Sequence, residues 1–282
     1  MTVDDYKFVL SQLSSATWGN VFQVAIGGGE PLEHPDFLDI LGASLRAGVT
    51  PNVTTNGMLV SSSVASLLRD RVGAMAISVS DMANYPKTAI GHLVSAGVRT
   101  NIHFLLRRST VLQAIDILNG LFDNLLAGVN AVIFLTHKAK GRAISSDNLA
   151  WNGDLGRFVR AVDARRTTVK VGFDACLVPL LLHSTRVDTQ LIDSCECGFF
   201  SVYIDEMLNV SPCSFSTGSK YSWNLRSMSF EHIWQKELGQ YRAEIHNDCQ
   251  RKCPAHAACR GQCPFFPDLT LCYSTSEGAT LS

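Results

Sequence analysis

Nine cysteines in a chain of 282 residues stand at 176, 195, 197, 213, 249, 253, 259, 263 and 272, and the first 175 residues hold none. So many thiols either form disulfides in an oxidising compartment or bind metal in a reducing one. The start, MTVDDYKFVL, has neither the basic flank nor the long apolar centre of a secretory signal. No apolar run nears the roughly eighteen residues of a membrane span, so the sequence reads as cytoplasmic and without a membrane partner. Metal binding is then the chemistry to weigh. Cys249-x3-Cys253-x5-Cys259-x3-Cys263 contains two closely spaced pairs, enough for one zinc site of four thiolates. Zinc would leave Cys176, Cys195, Cys213 and Cys272 without a task. Eight thiolates would instead make two complete four-cysteine iron–sulfur sites and leave one cysteine over.

A second candidate site is AIGGGEPLEHPDF, residues 25–37. Gly27, Gly28 and Gly29 give up three side chains in succession, directly after the apolar run VFQVAIG, and Glu30 and Pro31 follow. One reading is a tight turn from strand to helix, with Pro35 opening the helix. The other is that the backbone of Gly28 and Gly29 hydrogen-bonds a small polar ligand while Glu30 accepts from a cationic amine. Neither a dinucleotide fingerprint nor a P-loop lysine is present. Twenty-four basic against twenty-five acidic residues give a net charge of −1, which offers nucleic acid no footprint.

The elements that must position these residues have a rhythm. Apolar, β-rich runs at 21–27, 51–56, 74–80, 99–106, 131–137 and 167–175 alternate with helix-like stretches, among them TVDDYKFVLSQLS, DFLDILGASLRAG and VLQAIDILNGLFDNLLAG. Strand followed by helix at this repeat length implies parallel strands with crossover helices, an α/β sheet or barrel. Sites on such folds lie at the carboxyl ends of the strands, where GGGEP falls. With 46% hydrophobic and 17% charged residues the chain reads as globular. The cysteine content divides it at 175. Residues 1–175 form the β/α part, 176–275 a small cysteine-rich part, and 276–282 a loose tail.

GGGEPLEHPDF, then VTTNGMLV, AISVSDM and HKAKGRA, in this order, resemble the radical S-adenosylmethionine (radical SAM) superfamily across residues 5–175. The resemblance implies a partial (β/α)6 TIM-like barrel. It also implies that Gly28, Gly29 and Glu30 receive the cofactor's methionine group, with Asn56 in the TTNG strand end and Ser80 at the polar strand end helping to hold it. One feature departs from the family. Its Cys-x3-Cys-x2-Cys, which holds the catalytic 4Fe-4S cluster after the first strand, is absent, and the chain opens on a helix with no strand before it. Both point to an N-terminal truncation.

FDACLVPLL, SCECGFFSVYIDEMLNVSPCSF, FEHIWQKE and CQRKCPAHAACRGQCP resemble the SPASM-type extension of peptide-modifying radical SAM enzymes. This implies two auxiliary 4Fe-4S clusters. One falls to Cys249, Cys253, Cys259 and Cys272, the other to Cys195, Cys213 and Cys263 with Cys176 as fourth ligand. Cys197 is the spare, read as a buried apolar thiol. Leu208 stands where the family has a hairpin glycine. The activity implied is generation of a 5′-deoxyadenosyl radical to crosslink or epimerise a ribosomally made peptide, with an external donor such as a flavodoxin or ferredoxin supplying electrons. Lacking the catalytic cluster's ligands, the chain alone is expected to be inactive. A non-catalytic iron–sulfur electron carrier, a peptide-binding protein and a zinc-stabilised module remain the alternatives. His103, between Ile102 and Phe104, reads either as a lumen-facing contact or as a satisfied core histidine. Arg107 and Arg108 could meet the cofactor's carboxylate or be a solvated strand end.

Overall fold

The computed structural model describes residues 1–14, 19–141, 143–245, 253, 256–261, 263–269 and 271–272. Cys249 and the tail 276–282 lie outside the described residues. Six strands, β1 (Gln23–Ile26), β2 (Thr50–Thr55), β3 (Ala74–Val79), β4 (Thr100–Leu106), β5 (Ala131–Thr136) and β6 (Lys170–Phe173), form one sheet. All pairings are parallel and in sequence order, so β1 and β6 are its edges and the barrel is partial. Each predicted strand overlaps one of these six, and β2 starts one residue before its predicted run.

Alternation along β3 to β5 explains the layering. Met75, Ile77, Ile102, Phe104, Val132 and Phe134 are fully buried on the outer face. They share a core with Leu68 of α3 (Ser62–Leu68), Leu93 of α4 (Lys87–Ser95) and Phe158 of α6 (Gly153–Asp163). Phe134 meets Phe104 and Phe158 edge-on at 5.9 and 6.0 Å. Burial of each such ring stabilises by about 1.5–3 kcal/mol. The residues between them face the other way, towards the lumen.

The expected helix over 111–128 is shorter. α5 (Val111–Leu118) closes as Asn119, Gly120 and Leu121 donate to Ile115 O, Ile117 O and Asp116 O. The apolar spacing continues, but Asp123 accepts from Thr168 N at 2.9 Å and from the hydroxyls of Thr167 and Thr168, which pins the stretch to the start of β6. Tertiary bonds therefore override local periodicity. α2 (Phe37–Arg46) starts with Asp36 as its N-cap residue, two residues later than a Pro35 start would place it.

Beyond β6, α7 (Val178–Ser184) lays Leu180 and Leu181 into the barrel's core. A three-stranded antiparallel sheet follows, of β7 (Tyr203–Ile204), β8 (Asn209–Ser211) and β9 (Trp223–Asn224). A helical segment runs from α8 (Phe230–His232) through a π turn (Ile233–Glu237) into α9 (Leu238–Glu244). Their core of Leu208, Val210, Leu225, Phe230, Ile233, Leu238 and Tyr241 also takes Val9 of α1 (Val3–Ser14). Another face of α1 puts Tyr6 and Leu10 against Ile40 and Ala43 of α2, with Tyr6 Oη 2.6 Å from Ser44 Oγ. The opening helix thus joins both parts. Among the described residues no helix is long and apolar enough to cross a membrane.

Candidate functional site

β1 and β2 end side by side, and Glu30 ties those ends together. Its Oε1 accepts from Thr55 Oγ1 at 2.6 Å and Leu32 N at 3.2 Å, and its Oε2 accepts from Asn56 N at 2.8 Å. Thr55 Oγ1 also accepts from Gly57 N, and Asn56 Oδ1 from Met58 N at 2.8 Å. A carboxylate has about four acceptor positions, so three internal bonds leave Glu30 one for a ligand. Gly27, Gly28 and Gly29 are exposed. A Cβ built on any of them meets no atom within 4 Å, and Gly28 has φ of 125°, which disfavours any side chain. The loop therefore offers bare backbone to open space. Asn56 and Ser80 are exposed on the same rim, past β2 and β3.

His103 lies on β4 in register with Ser78 of β3 and Ile133 of β5, on the face opposite Ile102 and Phe104. Burial lowers its pKa, so the imidazole is neutral on the lumen side. It has no hydrogen-bond partner among the described residues. The Arg107 guanidinium bonds Asp147 at 3.0 Å, and its buried Nε has no partner among the described residues. Arg108 N donates to the backbone of Asp147. Asp81 accepts from Ala83 N and Gln113 Nε2 and orders the loop after β3.

The eight described cysteines are all free thiols. Five of them, Cys176, Cys195, Cys197, Cys213 and Cys263, are close enough to perturb one another although they span 87 positions of the chain (263 − 176). Cys197, expected as a spare buried thiol, is half-buried beside Cys195 and Cys213, and this proximity lowers their pKa values and raises its own. The Cys195 loop is fixed by Gly198, whose φ is 75° and whose position would set a Cβ 2.4 Å from Tyr241 Cε1. Arg242 Nη1 bonds Gly198 O at 2.8 Å and Arg260 Nη1 bonds Cys195 O at 3.0 Å. Elsewhere, Cys253 Sγ lies 3.7 Å from His183 Nε2, and Cys259 and Cys272 are buried.

Two residues beside this set went unassigned in the sequence. Lys138, just past β5, bonds Asp174 Oδ2 at 3.0 Å and Thr136 O at 3.1 Å. Asp174, just past β6, accepts from Thr136 N at 3.1 Å and Thr136 Oγ1 at 2.6 Å. Burial works against the ammonium, but Asp174 and Cys176 outweigh it and its pKa stands above the ordinary value. The Cys176 thiol is pushed up to about 12, by burial first and by Asp174 second. The available signal was position, since Lys138 and Asp174 follow neighbouring parallel strands.

Among the described residues, no three His, Cys, Asp or Glu side chains converge as one metal ion needs. A multi-iron cluster holds its thiolates farther apart than one ion does.

No protein-family profile matches the sequence, and no curated relative matches it. Solved structures do match in fold. Streptococcus suis SuiB bound to S-adenosylmethionine aligns with a TM-score of 0.70 and 17% identity over 93% of this chain and 66% of SuiB. SuiB bound to its precursor peptide SuiA aligns with 0.71 and 16% over 93% of this chain and 65% of that one. Native anSMEcpe with bound AdoMet gives 0.63 and 15%, covering 93% and 80%. The chain has the fold of SuiB and anSMEcpe. It spans 66% of the SuiB chain in the S-adenosylmethionine complex.

Proposed function

We propose that this is a radical SAM protein of SPASM type that acts on a peptide. The observation that carries the reading is the gathering of Cys176, Cys195, Cys213 and Cys263 beside the strand ends in a fold shared with proteins solved with S-adenosylmethionine and peptides. Those four thiols would hold one auxiliary 4Fe-4S cluster. Cys253, Cys259 and Cys272, with Cys249, would hold another. Gly28, Gly29, Glu30, Asn56 and Ser80 form the seat for the cofactor's methionine and ribose. When bound and reductively cleaved, S-adenosylmethionine supplies the radical that removes hydrogen from a substrate. This chain's own residues bind and orient: bare glycine backbone meets the polar end of the cofactor, and Glu30 presents its remaining acceptor to the amine.

Iron counting after anaerobic reconstitution tests the reading. About eight irons per chain are expected, falling to about four when Cys213 or Cys259 is replaced by alanine. Stoichiometric zinc in place of iron would sink it. An iron-loaded chain with no affinity for S-adenosylmethionine, even at millimolar cofactor, would favour an electron carrier.

A further inference from the structure

We propose that Ser78 and His103, on the open inner face of β3 and β4, form the floor on which the ribose of S-adenosylmethionine rests. The inference rests on the cofactor seat assigned under Proposed function and adds to it the two residues that hold the nucleoside half. Ser78 and His103 are register partners across β3 and β4. One step earlier Thr55 pairs with Ile77, so Asn56, which donates its N–H to Glu30 Oε2 at 2.8 Å, follows at the level of Ser78. One row therefore runs from Glu30 through Asn56 and Ser78 to His103. Asn56 and His103 stand two strand spacings apart, about 10 Å, a span that the extended methionine chain of the cofactor covers. Ser80, already placed in the seat, is two residues beyond Ser78 and exposed on the rim above it.

Ser78 is exposed although β3 has a strand on either side, so none of the described residues covers the inner face there. Barrel interiors are ordinarily packed with side chains, and an exposed residue inside one marks room for a ligand. His103 is half-buried between Ser78 and Ile133. Enclosed side-chain atoms without a partner among the described residues are Tyr85 Oη, Arg107 Nε, Ser184 Oγ and Ser211 Oγ. The His103 nitrogens, also without a partner, are not among these and so reach the open space. His137 shows the contrast, buried past the end of β5 with Nδ1 3.0 Å from Asn148 Oδ1. A neutral imidazole has one N–H and one lone pair, and Ser78 adds a hydroxyl that both gives and accepts. This uncharged pair suits a vicinal diol, while the cationic amine goes to the Glu30 carboxylate at the other end of the row.

The test is equilibrium dialysis of the anaerobically reconstituted 282-residue chain against S-adenosylmethionine and, separately, 5′-deoxyadenosine, for wild type, H103L, S78A and E30Q. 5′-Deoxyadenosine keeps the ribose diol and has no amine, so it isolates the floor from the Glu30 end. H103L is expected to weaken both molecules about tenfold and S78A about threefold, as loss of hydrogen bonds between neutral groups should. E30Q should weaken S-adenosylmethionine and leave 5′-deoxyadenosine as in wild type. A folded H103L that binds 5′-deoxyadenosine within about twofold of wild type overturns the proposal. So does an H103L that loses affinity for S-adenosylmethionine alone, because the contact would then lie with the methionine half. If circular dichroism shows H103L unfolded, S78A decides: weaker binding of 5′-deoxyadenosine supports the floor and unchanged binding overturns it. A wild type that binds S-adenosylmethionine but not 5′-deoxyadenosine at millimolar concentration overturns this inference alone. One that binds neither overturns the cofactor seat with it.

Discussion

A carboxylate that accepts three hydrogen bonds from its own fold is part of the scaffold before it is part of a binding site, and Glu30 is such a residue. Glu30→Gln replaces one acceptor oxygen with an amide donor and sets it against Asn56 N or Thr55 Oγ1. Urea denaturation should show a loss of about 1–2 kcal/mol, set by one charged hydrogen bond at a partly buried site. A stability change within about 0.5 kcal/mol would mean that Glu30 serves the ligand only. His103 has a pH signature. Burial lowers its folded pKa below the unfolded value of 6.5, so between the two the unfolded state binds more protons and stability falls as pH falls. In His103→Gln the change in urea midpoint between pH 7.5 and about 5.5 should be smaller than in wild type. An equal change would assign the slope to other groups. The alternation of Ile102, His103 and Phe104 offered the lumen face to the imidazole without choosing it over a satisfied core position. Nothing near Glu30 in the chain named Thr55, because that bond exists only once β1 and β2 are neighbours.

At the scale of elements, the β7–β8 hairpin holds a leucine in a conformation that favours glycine. Leu208 stands in place of the expected glycine, keeps a left-handed φ of 67°, and is 2% exposed in the core with Val210 and Tyr241. Leu208→Gly would relieve about 1–2 kcal/mol of backbone strain. It would also remove a buried leucine worth roughly 2–5 kcal/mol. The net expectation is a loss of about 1–3 kcal/mol in thermal or urea unfolding, and a gain in stability would show that the conformation, not the packing, dominates. The six strands were legible because their apolar runs recur at the spacing a β/α repeat requires. The end of α5 was not, because apolar spacing persists through residues 119–128 while Asp123 bonds Thr167 and Thr168 more than forty positions away.

The whole molecule unites two cysteine-poor and cysteine-rich parts that the sequence separates at 175. α1 contributes Val9 to one core and Tyr6 and Leu10 to another, and Lys138 and Lys140 reach from the end of β5 to Asp174 and to the turn after Cys213. The candidate thiols were visible from composition, and the candidate rim from GGGEP. The charge pair between the two was not, since each member is a single polar residue after an apolar strand. The first 175 residues carry no thiol, so on the function proposed above the GGGEP rim lacks the three thiolates that this reading calls for. The 282-residue chain is therefore expected to hold iron at its C-terminal thiols yet form no 5′-deoxyadenosine when incubated anaerobically with dithionite and S-adenosylmethionine. Supplying a Cys-x3-Cys-x2-Cys segment ahead of α1 should add about four irons and start that formation. Chromatographic detection of 5′-deoxyadenosine from the unmodified chain would defeat this expectation, because it would require a catalytic cluster seated on residues other than cysteine or on thiols borrowed from the C-terminal set.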